Sequence, residues 1–431
     1  MTFPYSTRRA RLLSSMQAGI AVIPTAPEVA RNADTHYPFR FDSNFYYLTG
    51  CAEPEAVLVL IAGDAPQSIL FCREKDPERE IWDGFRVGVT AARAAFGVDA
   101  TYPIGQLDEK LTELMGNQPR LFYPLGGGWD ARLLAMRAAV QAKARSGITA
   151  PDELVEVRGL LHEMRLFKDE HELQLMRQAA TISAAAHRRM MQFVRPAQME
   201  YQVEAECVHE FCRHGARAAA YPSIVAGGSN GCVLHYVGND QALRDGELLL
   251  IDAGCEWHGY AADITRTFPV NGRFSPAQRE VYQVVLAAQT AAIAAAMPGK
   301  TWDDPHQVAV RVLAQGLIDL KLCQGSVDAV VESGDYKRFY MHRTGHWLGM
   351  DVHDVGDYKV GGAWRTLQAG MVLTIEPGLY IRPADNVPEA LWNIGVRIED
   401  DVAITADGNE VLTAAAPKTV AEIEAVMRGE G

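Results

Sequence analysis

Paired cysteines, long apolar runs and an excess of positive charge are all missing from this chain, and each absence removes a class of protein. The seven cysteines, Cys51, Cys72, Cys207, Cys212, Cys232, Cys255 and Cys323, are odd in number and include no CxxC pair. Such spacing gives no disulfide framework, and the residues read as small buried apolar groups in a reducing compartment. The apolar stretch after the basic cluster Arg8, Arg9 and Arg11 stops at Pro24, too short for a secretory core or a membrane span. With 41 Lys and Arg against 54 Asp and Glu, a net charge of −13, the chain is unsuited to nonspecific binding of nucleic acid or of an anionic membrane. No low-complexity tract, repeat array or flexible linker is visible, and a soluble cytoplasmic protein is expected.

At 431 residues the chain exceeds the usual single-domain length, so two domains are expected, with roughly three quarters of the unfolded surface buried. Short apolar runs at Ile20 to Ile23, Phe45 to Leu48, Val57 to Ile61 and Ser68 to Cys72 alternate with turn-rich or helical segments such as Ala131 to Ala144, an α/β pattern. The character changes near Arg165. A long helix follows, with acids in its first turn and Met176, Ala180, Met190 and Val194 at helical spacing, and a second helix, Glu200 to His214, buries Val203, Cys207 and Phe211. A similar pair opens at Ser275, Pro276 and Gln278, a capping box, and at Asp304 and Pro305, the latter helix carrying Val308, Val312 and Leu320. Strands follow each pair, a weak internal duplication. The expected division is residues 1–167, an α/β domain, and residues 168–431, a second αβ domain.

The stretch on which function turns runs from Leu248 to Phe268, LLLIDAGCEWHGYAADITRTF. An apolar run ends at Asp252, glycines punctuate the turn, and strand character resumes after Asp263, so two aspartates meet across a hairpin. A carboxylate ending such a run is costly unless compensated, and a cation compensates it. From the hairpin alone, a turn aspartate plus a strand-end aspartate and a metal site read equally well. Downstream, MHRTGHWLGMDVHDVG (Met341 to Gly356), TIEPGLY (Thr374 to Tyr380) and VRIEDD (Val396 to Asp401) add one histidine and two glutamates. Asp252, Asp263, His346, Glu376 and Glu399 make an oxygen-rich set with a single imidazole, suited to hard or borderline divalent ions. Five such ligands can hold two.

These motifs resemble the pita-bread metallopeptidases, and within them the bacterial aminopeptidase P family. The resemblance implies a pseudo-twofold αβ catalytic domain behind an N-terminal domain that walls the active site and helps build the oligomer, a homotetramer or a dimer. It also implies a dinuclear enzyme that removes the N-terminal residue from peptides with proline second, through metal-bound hydroxide, with Mn(II) the expected ion and Zn(II) or Co(II) the alternatives. The related readings are prolidase, on the same ligand set, and a pita-bread binding module that has lost catalysis.

By the same resemblance, Asp263 and Glu399 bridge the ions, Asp252 completes one site, and His346 with Glu376 completes the other. Glu376 is the expected proton carrier. His235, in GCVLHYVG, and His353 match substrate-facing histidines, one of which would help stabilise charge on the carbonyl oxygen while both would shape the proline-side pocket. His342 is a further catalytic candidate, with a satisfied, partly buried side chain as its plainer reading. Arg397 would orient a ligand carboxylate through bidentate hydrogen bonds. Tyr221, in AAYPSIVAGG, matches a tyrosine near the substrate's amino terminus or is structural, and Trp82, in EIWDGFRVG, matches a tryptophan that reaches a neighbouring subunit's site. The loop Asp357 to Thr366 departs from the family pattern, which has a basic residue there at the substrate end of the cleft; Lys359 or Arg365 are its candidate substitutes.

Overall fold

The computed structural model describes residues 4–430. The chain divides into two compact units, Met1–Arg165 and Leu166–Gly431, with the expected 167/168 boundary just beyond that division. In the first unit six strands form one sheet, in the order Ala100–Pro103, Gln67–Cys72, Val57–Ala62, Gly19–Pro24, Arg120–Tyr123, Glu153–Glu156. Gly19–Pro24, Val57–Ala62 and Gln67–Cys72 pair antiparallel and the outer strands pair parallel. The central strands are buried on both faces, which is why they read as unbroken apolar runs. Phe45 to Leu48 is a helix, Ser43–Thr49, and not a strand. The Asp42 carboxylate accepts from the Phe45 N–H at 2.9 Å and Gly50, at φ 68°, closes the helix, so caps at both ends outweigh the strand tendency of the aromatics.

The second unit repeats one plan. Helix Glu170–Phe193 starts in a capping box of Asp169 and Glu172, and helix Glu200–Arg213 packs on it through Val203, Cys207 and Phe211. The hairpin that follows pairs Leu248–Asp252 with Thr265–Pro269, with Asp252 opposite Thr265. The ladder then breaks and resumes as Cys255–Trp257 against Tyr260–Ala261. Asp263 lies in the break. A Cβ on Gly254 would stand 1.7 Å from the Ala262 carbonyl oxygen, so only glycine lets the two arms close up beside it.

Helices Pro276–Ala295, with its Ser275–Gln278 capping box, and Asp304–Asp319 form the second pair. Their hairpin pairs Val372–Ile375 with Asp400–Ile404, breaks, and resumes as Gly378–Ile381 against Ile394–Arg397. Glu376 and Pro377 on one arm and Ile398 and Glu399 on the other occupy the break; Pro377 has no N–H to give the ladder. Each hairpin is therefore interrupted where Asp263, Glu376 and Glu399 stand, with Asp252 at the last paired position of its ladder. One expectation needs correcting: the second helix of this pair buries Ala309, Val310, Leu313, Ala314, Gly316 and Leu317, while Val308, Val312 and Leu320 are only half-buried. A Cβ on Gly316 would meet Val284 at 2.2 Å, so the helices pack through a small-residue seam that a count of large apolar side chains misses.

Candidate metal centre

The two breaks face one cavity of about 470 Å³ in the second unit, lined among others by Tyr221, His235, Asp252, Asp263, His342, Arg343, His346, His353, Glu376, Arg397 and Glu399. Ten of the eleven residues singled out from the sequence are thus brought together. Trp82 belongs to the first unit, where it stands 85 % exposed on the short helix Pro77–Asp83.

Asp263, His346 and Glu399 offer ligand atoms all within 4.8 Å of one another. His346 Nε2 lies 3.4 Å from Asp263 Oδ2 and 3.7 Å from Glu376 Oε1. Its Nδ1 stands 3.0 Å from the Trp347 carbonyl oxygen, which can only accept, so Nδ1 carries a proton and Nε2 is the nitrogen turned to the carboxylates. The Tyr221 hydroxyl reaches Asp252 at 2.6 Å and Asp263 at 2.5 Å, a single proton shared between two acids. Thr265 donates to Glu399 at 2.6 Å.

Burial, opposed by Arg397 and reinforced by Asp263, raises the Asp252 pKa, and burial with three neighbouring acids raises that of Glu399 well above the usual range. Burial, opposed chiefly by His346, lifts Glu376 to about 7. Burial also works against ionised Asp263, but its hydrogen bond to His346 and the charge there hold it below its ordinary value. His346 rises to about 9, because Asp263 and Glu376 outweigh its burial. Four carboxylates thus share one fixed neighbouring cation, Arg397, which among them hydrogen-bonds only Asp252. The donor set therefore fits divalent ions, which would supply the missing positive charge to hard oxygen ligands and one imidazole.

Arg397 differs from expectation in its bonding. Its guanidinium donates once to Asp252, at 2.7 Å, once to Thr265, at 3.1 Å, and once to the Tyr380 hydroxyl, at 3.1 Å, so it links three partners and holds no carboxylate bidentately. Tyr380 in turn lies 2.8 Å from His342 Nε2, and His342 Nδ1 lies 2.7 Å from the Arg343 carbonyl oxygen. Both ring nitrogens are satisfied, and burial together with the Arg397 charge drops His342 to about 3, leaving it neutral. His353 packs edge-on against His346 at 4.3 Å, and burial with the charge of His346 lowers its pKa.

Several residues of the site escaped the sequence reading. Tyr380 sits inside the TIEPGLY motif, and its strand position, four residues after Glu376, was the available signal. Asp401, in the paired strand Asp400–Ile404, accepts the Asp263 N–H with both oxygens at 3.2 Å, tying the break of one hairpin to the ladder of the other. Besides Arg397, the basic residue that lines the cavity is Arg343, stacked 5.0 Å from the rings of Trp302 and Trp364 and ion-paired to Asp303. Lys359 lies over the Trp364 ring at 4.2 Å and, like Arg365, does not line the cavity.

Paired helices, twin interrupted hairpins and an acidic cavity between the breaks are the architecture of a pita-bread metallohydrolase. The chain belongs to metallopeptidase family M24, whose sequence model matches residues 174–406, while that of the aminopeptidase P N-terminal domain matches residues 5–123. It is 45% identical over 428 residues to the Xaa-Pro aminopeptidase of Escherichia coli, covering 98% of this chain and 97% of the relative. Among solved structures, aminopeptidase PepP of Pseudomonas aeruginosa superposes with a TM-score of 0.97 at 51% identity, covering 99% of this chain and 97% of that one. Zn-substituted E. coli aminopeptidase P in complex with product superposes with a TM-score of 0.96 at 45% identity, covering 99% and 98%.

Proposed function

We propose that this chain is a metal-dependent Xaa-Pro aminopeptidase holding two divalent ions. The observation that carries the reading is the convergence of Asp252, Asp263, His346, Glu376 and Glu399 on one cavity, in a chain that matches Xaa-Pro aminopeptidases over nearly its whole length. Asp263 and Glu399 would bridge the ions, Asp252 would complete one site, and His346 with Glu376 the other. The chemistry that divalent ions supply in such a site is polarisation of the scissile carbonyl and a lowered pKa for water. The oxygen-rich shell suits Mn(II), with Zn(II) and Co(II) as alternatives set by availability.

Glu376, a carboxylate that would touch both an ion and the attacking water, is placed to take the water's proton and return it to the departing proline nitrogen. His353, kept neutral, and His235 at the cavity wall would donate to the carbonyl oxygen. Proline makes the scissile bond a tertiary amide without N–H, so selection rests on ring shape and on the substrate's free amino terminus, which the carboxylates attract. Val237, Val352 and Leu234 give the cavity apolar wall for the ring.

The first unit walls the site of an oligomer, a homotetramer or a dimer, in which exposed Trp82 serves a neighbouring subunit. If so, mixing Trp82→Ala with Asp263→Ala restores activity in hybrids. The chain works in the cytoplasm: its seven cysteines are free, and among the described residues no helix is long and apolar enough to cross a membrane. The decisive assay is release of the N-terminal residue from Xaa-Pro tripeptides by the metal-reconstituted protein. Cleavage confined to Xaa-Pro dipeptides would favour prolidase, and no cleavage with the metals bound would reject the reading.

A further inference from the structure

Between strands Ile224–Gly227 and Leu248–Asp252 the chain makes a single turn of 3-10 helix, Gly228–Cys232, and then runs to Glu247 without helix or strand. This loop carries His235 to the cavity wall. Hydrophobic burial holds its tip only in part: Leu234 and Tyr236, on either side of His235, are half-buried against Ile224, Ala226 and Leu250, but His235 itself is exposed, and Val233 and Val237 are 47 % and 55 % exposed. A loop of this length with an open tip is mobile unless polar contacts fix it.

The contacts converge on one carboxylate. Glu200, fully buried at the first position of helix Glu200–Arg213, accepts four hydrogen bonds. Oε1 takes the Gly227 N–H at 2.8 Å and the Asn230 amide at 3.0 Å. Oε2 takes the Tyr236 hydroxyl at 2.8 Å and the Gln241 N–H at 3.0 Å. All four donors belong to the loop or its entry strand, and Tyr236 adjoins His235. The helix does not need this carboxylate for its own start, since Gln202 reaches back to the Met199 N–H at 2.8 Å and Val203, Cys207 and Phe211 bury its apolar face. A buried carboxylate at a helix N-terminus with four donors is a strong, directional clamp. Asn239 adds a weaker one, accepting the Val225 N–H at 3.0 Å and donating to the Ser223 carbonyl at 2.8 Å.

We infer that Glu200 is a positioning residue that acts through His235: its carboxylate sets where the imidazole meets the substrate, without touching substrate or metal ligands. The inference rests on the proposed role of His235 at the reacting carbonyl. Glu200→Gln turns one acceptor into a donor and sets it against two of the four donors, so the loop loses its fix while the helix keeps its start.

The test is a double-mutant cycle on the metal-loaded enzyme with an Xaa-Pro tripeptide. Glu200→Gln lowers kcat by about 10-fold to 10²-fold, within what a 1 Å misplacement costs, with wild-type metal content. In a His235→Ala background the same change lowers kcat by no more than about 2-fold, the margin within which a coupled pair is recognised. Multiplying losses in the double variant, or loss of metal in Glu200→Gln, overturns the inference. Tyr236→Phe removes a single donor and shows the same coupling with a smaller loss, which keeps the test open if Glu200→Gln folds poorly. A crystal structure of either variant gives a readout independent of activity: His235 moves while the five ligand side chains stay, and an unmoved His235 overturns the inference. Failure of the parent reading is distinguishable, because it leaves the wild type inactive on Xaa-Pro peptides, or leaves His235→Ala fully active.

Discussion

The hairpins that carry the proposed metal ligands and the His235 loop line the same cavity and are held by different means. Each ligand in the hairpins stands within a residue or two of a paired ladder, and behind Glu399 the next residue, Asp400, is locked by four side chains. It accepts from Arg266 and Gln289 at 2.7 Å, Thr413 at 2.8 Å and Lys418 at 2.6 Å. Arg266 also donates to the Glu399 carbonyl oxygen, so this buried network fixes a ligand's backbone from behind. The loop has no extended ladder and is held chiefly by side-chain contacts, four of them to the Glu200 carboxylate. The geometry of the proposed ligands is thus built into the fold, whereas the proposed substrate contact is set by side chains that can change without unmaking it.

If this contrast is right, substitutions in the hairpins cost metal or stability and substitutions on the substrate side cost turnover alone. The largest effect is expected for Asp263→Ala, which removes a proposed bridging ligand; metal analysis should show loss of bound ion and the peptidase assay no activity. Retention of both ions would break the comparison at once. Asp400→Ala leaves the Arg266 charge buried and unpaired, so unfolding measurements should show destabilisation of about 3–5 kcal/mol.

The same aspartate gives a pH test. Burial disfavours its charge, but Arg266 and Lys418 hold its folded pKa below the ordinary value. Its stabilisation is therefore complete above the usual carboxylate range and is lost as pH falls through the folded pKa. Asp400→Asn should flatten the acid side of the stability profile relative to wild type.

On the substrate side, His353→Ala should leave the metal content unchanged and lower kcat by about 10²–10³-fold, as for one lost oxyanion donor. Equal loss of metal there would move His353 into the ligand set. The smallest expected effect is that of Arg397→Met, which touches a ligand, Asp252, but is not one; metal affinity or activity should fall by about 10–100-fold, read by competition with a chelator.

The contrast also explains what could be read from the sequence. Asp252 was legible because it ends an apolar run, and the other ligands because they sit in compact motifs beside strand signals. The fold's two helix pairs were legible from caps and spacing, and only the packing face of Asp304–Asp319 was misplaced, through its glycine. Positions fixed by contacts distant in the chain were not legible. Glu200 looks like any first-turn acid until Tyr236 and Gln241 return to it, and Arg343, at the cavity wall, is held by Trp302, Trp364 and Asp303. Asp401 looks like one more acid in a run until the other hairpin's Asp263 N–H meets it.

The most direct test of a shared two-ion centre is calorimetric titration of metal-free protein with Mn(II) at neutral pH, in buffers of different ionisation enthalpy. His346 holds its proton up to about 9 and Glu376 up to about 7 in the metal-free protein, and ligation requires both to be deprotonated. Two ions should therefore bind per chain with net proton release at pH 7, a release that fades above the His346 pKa. One ion or none per chain, or two with no proton released at pH 7, would contradict a centre built from these five residues.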